Sequence, residues 1–255
     1  MSDFNGQELS NLAWSISRIA EQSDFRPTLE AIPFSASDGS FRSSDQPYIT
    51  DWMSALMYAS QQRMHALDLE PQGISCILLA CTRLQYRPQD AHLRQLCYFS
   101  EQRHLRSVGV GAPSVMSPQA LSNLMLALAH LCYKPPESFM LAFEAAVISS
   151  IKTDTSMRHH LGGKWTSQNL ANLIWAMSQL DWTPSLDFTR LHLDLTCAML
   201  PTFQSGDLLQ ILISLARLKL KVDRSWLELV CIQVGIHSAC TKFCAVRLKH
   251  LIVLV

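Results

Sequence analysis

The chain has 255 residues, of which 48% are hydrophobic and only 16% are charged. Its 21 basic and 21 acidic residues cancel. This excludes the strongly basic balance typical of nucleic-acid binders, so any phosphate binding must come from the local placement of charge. The apolar content is sufficient for a continuous core and excludes a disordered chain.

Amphipathic helical patterns recur along the chain in pairs, here called A and B, and turn-forming residues separate them. The predicted A helices are Gln7–Ala20, Pro71–Leu84, Ser117–Leu131, one that begins at Thr166 or Ser167, and one within Phe203–Cys240. The predicted B helices are Pro47–Ala66 (with Trp52, Leu56 and Met57 facing inward), Asp90–Leu105, Glu137–Ile151, one that begins near Ser185, and Asp223–His237. The segments predicted to be mobile or to act as linkers are Gln22–Gln46, Ser107–Val115 and Lys152–Lys164.

The A helices are copies of one sequence unit. The ten residues Ala171–Leu180 (ANLIWAMSQL) align without a gap with Ser10–Ile19, Ser75–Leu84, Ser122–Leu131 and Leu209–Leu218. An aromatic or histidine residue follows the last leucine of the later copies by eight residues, and these residues are His92, Phe139, Phe188 and Trp226. Leu170 and Leu208 lie 38 residues apart, so the sequence predicts a two-helix repeat of roughly 38 residues.

Each helix pair has an apolar face that it cannot cover alone, and stacking of successive pairs would bury these faces together. The predicted fold is therefore all-α, an α-solenoid of about five two-helix repeats in one array over residues 1–255. The approximate repeats are 4–66 with an insertion at 22–46, 69–105, 116–151, 165–200, 203–240, and a truncated sixth copy at 243–255. We expect the sequence to be a segment of a longer protein and the truncated copy to leave an apolar end.

Other site types find little support in the sequence. The eight cysteines lie mostly in apolar helical runs, which favours reduced core residues over disulfides. His237, Cys240 and Cys244, and separately His159 and His160, are incomplete as metal sites because structural zinc usually needs four ligands. We predict no metal and no cofactor. Without a phosphate-binding glycine loop, a nucleophile elbow or a carboxylate pair, we also predict that the chain is not an enzyme. No membrane span is predicted and no targeting peptide is visible.

A polar face on the A helices carries three columns at positions i, i+4 and i+7. The first column is Asn11, Cys76, Asn123, Asn172 and Gln210. The middle column is Ser15, Ala80, Ala127, Ala176 and Ser214, which are all small. The last column is Arg18, Arg83, His130, Gln179 and Arg217. The columns predicted to be buried instead contain Leu12 and Leu173, Ile16 and Met177, and Ile19 and Leu180.

Two interpretations of the polar face remain open. A small middle column would let a flat ligand approach closely, while the variable outer columns could present donors and acceptors to one base per repeat. The same pattern also occurs where two helices pack closely and their polar tips are solvated, and the recurring asparagines could then join adjacent A helices. Trp14, Trp175 and Trp226 are stacking platforms in the first interpretation and packing residues in the second.

The motif x-N-L-x-W-A-x-x-x-L in Ala171–Leu180 and Ser10–Ile19, with the B-helix openings KPPESF, TPSLDF and KVDRSWL, resembles the octotricopeptide repeat proteins. That resemblance implies sequence-specific binding of single-stranded RNA in the chloroplast or, alternatively, the mitochondrion, and control of transcript stability, splicing or translation. The chain resembles a relative without the C-terminal RAP domain that some members carry. The implied RNA-binding residues are Asn11, Arg18, Arg83, Asn123, His130, Asn172, Gln179, Gln210 and Arg217.

The alternative function is a protein-binding helical scaffold that does not contact RNA. The distribution of charge distinguishes the two. RNA binding predicts that Arg18, Arg83, His130 and Arg217 line one face while acidic residues lie elsewhere, and the acidic residues concerned are Glu101, Glu144, Asp194 and Glu228.

Overall fold

The computed structural model describes residues 4–22, 47–106, 116–156 and 165–233. Within these ranges the chain is all-helical, as predicted, and contains no strand. The A helices are α1 (Gly6–Gln22), α3 (Pro71–Arg83), α5 (Pro118–His130), α7 (Ser167–Gln179) and α9 (Ser205–Arg217). The B helices are α2 (Pro47–His65), α4 (Asp90–Ser100), α6 (Glu137–Ser156), α8 (Leu186–Ala198) and α10 (Arg224–Gln233).

Two B-helix ends differ from the prediction. The last part of the predicted second B helix, Glu101–Leu105, is a π-helical turn that follows α4. Helix α6 continues to Ser156, which places Lys152 within the helix rather than in the predicted linker. Helix α8 ends at Ala198 and a short 3-10 turn, Leu200–Thr202, follows it. The described part of α10 ends at Gln233, and residues 234–237 of the predicted helix lie outside the described residues.

The described helices belong to two compact units. The first unit is formed by the chain up to Met116 together with Pro135–Phe139, and the second by Ser117–Lys134 and the chain from Met140 onward. In the first unit α1 packs along α3, and α2 packs against α4. In the second unit α7 lies between α5 and α9, and α10 contacts α8. In each unit, A helices are therefore the principal neighbours of A helices.

The beginning of α7 is determined by local side-chain chemistry. Thr166 is the N-cap, and its hydroxyl accepts a hydrogen bond from the backbone N–H of Asn169 at 3.2 Å. The Asn169 side-chain oxygen in turn accepts from the backbone N–H of Thr166 at 3.3 Å. This capping box satisfies two N–H groups that have no partner within the helix. Of Thr166 and Ser167, the two residues predicted for the beginning of this helix, Thr166 is therefore the N-cap.

The A helices from α3 onward end in the same backbone turn although none has a glycine there. Gln85, Cys132, Asp181 and Lys219 have φ between 49° and 55°, in the left-handed region. The following backbone N–H then donates to a carbonyl five residues earlier, for example Tyr133 N to Leu128 O at 3.0 Å. Glycine is the usual residue in this position because a Cβ atom is strained at positive φ.

We therefore expect Cys132→Gly to raise the free energy of unfolding by about 1 kcal/mol, because it removes that strain without removing a buried side chain. Cys132 is exposed, which makes the substitution sterically simple. Chemical denaturation should measure the gain. The matched control is Cys132→Ala, which also removes the thiol but keeps the Cβ atom, and should leave the stability unchanged. Equal stability of the two variants would contradict the strain argument.

The recurring aromatic residues near the beginning of the later B helices are packing residues, as one interpretation predicted for Trp226. Phe139 and Phe188 are fully buried, Trp226 is nearly so, and His92 is half-buried. Trp226 donates its indole N–H to the carbonyl oxygen of Leu193 at 3.2 Å, so its polar atom is satisfied within the protein. Leu56 and Met57 are buried as predicted, whereas Trp52 is only partly buried.

Several predictions concern residues outside the described ranges. These are the insertion and the two linkers apart from their edges, the pair His159 and His160, the group His237, Cys240 and Cys244, and the sixth copy at 243–255. Among the described cysteines, Cys81 and Cys97 are core residues, and burial raises the pKa of both thiols. No helix of the described chain is long and apolar enough to cross a membrane.

Candidate functional site

The middle column of the polar face is closed to ligands in four of the five A helices. Ala80, Ala127, Ala176 and Ser214 have no exposed surface. The expectation that a flat ligand could approach along the whole column is therefore wrong for these four residues. Ser15 on α1 is exposed and is the exception.

The direction in which each column faces explains this burial. Ser15 lies on α1, which has no preceding A helix among the described residues, and it is exposed. Ala176 on α7 and Ser214 on α9 each follow an A helix in the same unit and are fully buried. On α7 and α9 the middle column therefore lies on the side of the preceding A helix, where small side chains allow two helices to approach closely.

Within each unit, the opposite side of an A helix faces the next A helix. Ser10 on α1 is buried and lies where a Cβ atom added at Gly73 on α3 would meet its side chain at 3.4 Å. Ser122 on α5 accepts a hydrogen bond from the Asn169 amide on α7 at 3.0 Å. The residue at the same position on α9 is Leu209, which is 52% exposed. With Ile213, which is 57% exposed, it forms an uncovered apolar face on α9.

The residues of the first column reach the surface to different degrees. Asn11 is exposed, while Asn123, Asn172 and Gln210 are half-buried. Asn11 accepts a hydrogen bond from Gln7 on its own helix at 3.0 Å. The contact between helices comes from Gln210, whose amide donates to the Ala171 carbonyl at 3.3 Å. The expected asparagine link between A helices is thus made by Gln210 and, from outside the column, by Asn169.

In the first unit the last column gathers two arginines around one indole ring. The Cζ atom of Arg83 lies 4.3 Å from the centroid of the Trp14 ring, and that of Arg18 lies 5.9 Å from it. Arg83 also reaches the Ser17 hydroxyl at 3.5 Å. Trp14 remains 38% exposed, so its ring is not a core residue. A guanidinium over an indole face is a favourable cation–π contact.

In the second unit the last column combines an imidazole, an amide and a guanidinium. The centroid of the His130 ring lies 4.8 Å from that of Trp175 on α7. Desolvation lowers the pKa of His130 although part of the residue stays exposed, so this histidine is neutral at pH 7 and adds no positive charge. Arg217 on α9 donates to the Gln179 side-chain oxygen on α7 at 3.1 Å and lies 3.8 Å from the Asp181 carboxylate.

The apolar columns are less uniform than predicted. Leu173, Met177 and Leu180 on α7 are buried as expected. On α1, Leu12 and Ile16 are only half-buried, and Ile19 is 65% exposed, which contradicts its predicted burial. A terminal helix has fewer neighbours to cover its sides, so equivalent positions in the sequence are not equivalent in burial.

Two of the acidic residues named above have a structural role. The buried Glu144 carboxylate on α6 accepts from the Ser185 backbone N–H at 2.9 Å and from the Trp182 indole N–H at 3.2 Å, where α8 begins. Buried Glu101 accepts from Ser138 at 3.2 Å and from the Arg106 Nε atom at 3.0 Å. The Glu144 carboxylate therefore joins α6 to the beginning of α8 and complements the positive end of that helix dipole, while Glu101 holds the Ser138 hydroxyl at the beginning of α6. Sequence reasoning missed this role because neither residue lies in a recurring position.

His192 is a fully buried histidine on α8. Its Nε2 atom donates to the Leu170 carbonyl at 3.0 Å, and its Nδ1 atom has no hydrogen-bond partner. Burial lowers the pKa of His192 below its ordinary value of 6.5, an effect that the Leu170 hydrogen bond partly offsets. Protonation would place a charge in an apolar site with no anion to pair with it.

We therefore expect stability to fall as the pH decreases below about 6.5, because the unfolded chain takes up a proton that folded His192 does not. Above that pH the histidine is neutral in both states and contributes no pH dependence. Denaturation curves recorded between pH 7 and pH 5 give the free energy of unfolding at each pH. This free energy should change less steeply with pH for His192→Gln, whose amide can still donate to Leu170. The difference for one proton is at most about 1.4 kcal/mol per pH unit. Identical slopes would contradict this assignment.

The described residues contain no group of three or more His, Cys, Asp or Glu side chains that could hold a metal ion. The sequence matches no protein-family model and no curated protein. The candidate site is thus defined by geometry alone. In each unit it consists of the first and last columns of the A helices, and we call these columns the A-helix ridge.

Proposed function

We propose that this chain is an α-solenoid of about five two-helix repeats that binds single-stranded RNA through the A-helix ridge. The observation that carries the proposal is the arrangement of the two outer columns. On consecutive A helices of each unit they present polar side chains that differ between repeats and remain at least partly exposed, on a scaffold of closely packed helices. One set of variable donors and acceptors per repeat is the arrangement of modular RNA readers.

The closure of the middle column restricts how a base could be read. Bases would contact the outer columns rather than the helix backbone between them. Gln179 and Gln210 carry amides that can pair with a base edge through both a donor and an acceptor. Arg18, Arg83 and Arg217 can bind phosphate or stack on a base. His130 would contribute stacking and hydrogen bonding without charge.

The placement of charge supports this proposal. Arg18, Arg83 and Arg217 lie on A helices, whereas Glu101, Glu144, Asp194 and Glu228 lie on the B helices or in the turn that follows one. Glu101 and Glu144 are buried and satisfied, and Glu228 pairs with Arg224 at 2.8 Å on α10. Asp181 is an acidic residue next to the ridge, and Arg217 compensates it in part. A chain with no net charge can in this way offer a locally cationic part of the ridge, at Arg18 and Arg83 in the first unit.

The direct test is RNA selection with crosslinking, followed by binding measurements as a function of salt. Arg217→Ala should weaken RNA binding. It should also reduce the slope of the logarithm of the binding constant against the logarithm of the salt concentration by about 0.7, since it removes one phosphate contact on a single strand. The matched control is Arg190→Ala on the B helix α8, an exposed arginine of the same unit, which should leave both quantities unchanged. If the chain retains no RNA, the proposal is wrong.

The resemblance noted above extends the proposal to organellar RNA, in the chloroplast or the mitochondrion, with effects on transcript stability, splicing or translation. Organelle fractionation of the tagged protein and recovery of its crosslinked transcripts would test this part. Recovery of cytosolic transcripts alone would contradict it.

A specific observation favours the alternative function, a scaffold that binds a protein. Leu209 and Ile213 on α9 and Leu229 and Ile232 on α10 are each about half exposed or more. Exposed apolar side chains close together often mark a protein contact. Loss of a co-purifying protein partner on Ile213→Asp, with no change on Arg217→Ala, would support the scaffold function over RNA binding.

A further inference from the structure

We propose that Trp14, Arg18 and Arg83 form a stacking site for one unpaired RNA base, with a guanidinium placed for the adjacent phosphate. We call this group the Trp14 site. It rests on the proposed RNA-binding function and adds a residue, Trp14, that lies in neither column of the A-helix ridge. The ligand class is a single-stranded nucleotide rather than a protein side chain.

Trp14 differs from the other tryptophans of the described chain in its exposure. Trp165 and Trp226 are buried, and Trp52, Trp175 and Trp182 are partly buried, whereas Trp14 is 38% exposed. An exposed indole offers aromatic surface that a ligand can cover. At the equivalent position of the other A helices the side chain is aliphatic or less exposed, as with Leu79 on α3 and Trp175 on α7.

Among the described A helices, α1 alone exposes the whole strip beside this position. Asn11, Ser15 and Arg18, which follow one another on the adjacent strip of α1, are all exposed. Ser15 is the one exposed residue of the small middle column. A flat ligand can therefore approach α1 closely beside the indole ring, while the equivalent approach to α3, α7 and α9 is closed by Ala80, Ala176 and Ser214.

The two arginines determine which flat ligand fits. Arg83 lies over the indole ring at 4.3 Å, and Arg18 lies 5.9 Å from the same ring centroid. A nucleobase offers a π face for stacking on the indole or on a guanidinium plane, and its phosphate offers the anion that the second arginine can bind. An aromatic amino-acid side chain lacks the anion, and an acidic one lacks the flat face.

The test compares the binding of a pool of random single-stranded RNA 12-mers by fluorescence anisotropy. Trp14→Leu should weaken binding about tenfold, the effect of losing one base–aromatic stack. Trp14→Phe should retain most of the affinity because it keeps an aromatic face. The matched control is Tyr58→Leu on the B helix α2, which removes an aromatic that is 63% exposed in the same unit and should not change the affinity.

A second measurement does not depend on any variant folding correctly. RNA that carries 4-thiouridine should crosslink the wild-type chain at the peptide containing Trp14. When the same oligomer carries abasic sites and has no base to stack, the wild type and Trp14→Leu should bind it equally tightly. Crosslinks that avoid this peptide, or equal affinities for wild type and Trp14→Leu on RNA that contains bases, would overturn the inference.

The outcomes separate the two proposals. If the wild type binds RNA and Arg217→Ala weakens that binding while Trp14→Leu does not, the proposal of the Trp14 site is wrong and the proposal of RNA binding by the A-helix ridge is supported. If wild type binds no RNA, both proposals fail. If Trp14→Phe and Trp14→Leu lose affinity equally, the ring is not a stacking platform and the inference fails by itself.

Discussion

Ala176→Leu is expected to lower the free energy of unfolding by about 2–3 kcal/mol, because the larger side chain has to fit between α7 and the A helix before it. Ala176 has no exposed surface, and α7 has an A helix on each side within the second unit. Leucine adds three carbon atoms where the helices are closest, so either its rotamer is strained or the helices move apart. Urea denaturation of the wild type and the variant measures the difference.

Ser15→Leu is the matched control for this substitution. Ser15 occupies the same column in α1 but is exposed, and exposed substitutions usually change stability by less than about 0.5 kcal/mol. A large loss at Ala176 with none at Ser15 would establish that the small column serves helix packing. A similar, small effect at both positions would mean that the column is accessible after all and would restore the hypothesis of ligand approach along its whole length.

Glu144→Ala is expected to lower the free energy of unfolding by about 2–3 kcal/mol. The substitution removes a buried carboxylate that accepts from both the Trp182 indole and the Ser185 backbone, and it leaves these two donors without a partner. It also removes the negative charge at the beginning of α8, where the helix dipole is positive. Loss of hydrogen bonds to a charged group explains why the effect exceeds that of an ordinary surface residue.

Glu228→Ala provides the comparison for Glu144. Its carboxylate pairs with Arg224 at 2.8 Å, but both side chains are mostly exposed, with relative exposures of 60% and 92%. Such a pair contributes less than about 0.5 kcal/mol because solvent screens it. Thermal denaturation should therefore separate the two variants clearly. Equal losses would show that the Glu144 hydrogen bonds do not stabilise the contact between α6 and α8.

The two stability predictions also bear on the proposed function. Both substituted residues are buried and cannot contact RNA directly, so a variant that keeps the wild-type helix packing should bind RNA as the wild type does. Arg217→Ala is expected to do the reverse and reduce RNA binding with little loss of stability, since Arg217 is exposed. This separation of effects distinguishes the ridge from the scaffold that supports it.

Much of the fold could be predicted because helix patterns and caps are local. The spacing of Leu170, Leu173 and Met177 identifies α7, and Thr166 caps it through atoms only three residues away. The left-handed turns at Gln85, Cys132, Asp181 and Lys219 could not be predicted, because no glycine marks them. The backbone adopts that conformation because the next helix has to begin in a fixed direction, and the strain at each turn is small compared with the burial it permits.

The candidate site was predictable in its composition but not in its geometry. The three columns follow from a repeat of roughly 38 residues, which is a property of the sequence alone. Which columns are open depends on whether a helix lies beside each one. Ser15 and Ser214 are the same residue in the same column, yet one is exposed and the other is fully buried.

The sequence by itself determined the helices and the polar character of the ridge, because these depend on residues close together in the chain. Only the tertiary structure decided that the small column is a packing surface, that Glu101 and Glu144 hold the beginnings of α6 and α8, and that Trp14 lies exposed beneath Arg83. The physical reason is that burial and desolvation arise from neighbours distant in sequence, and a repeated pattern assigns the same role to every copy even where those neighbours differ.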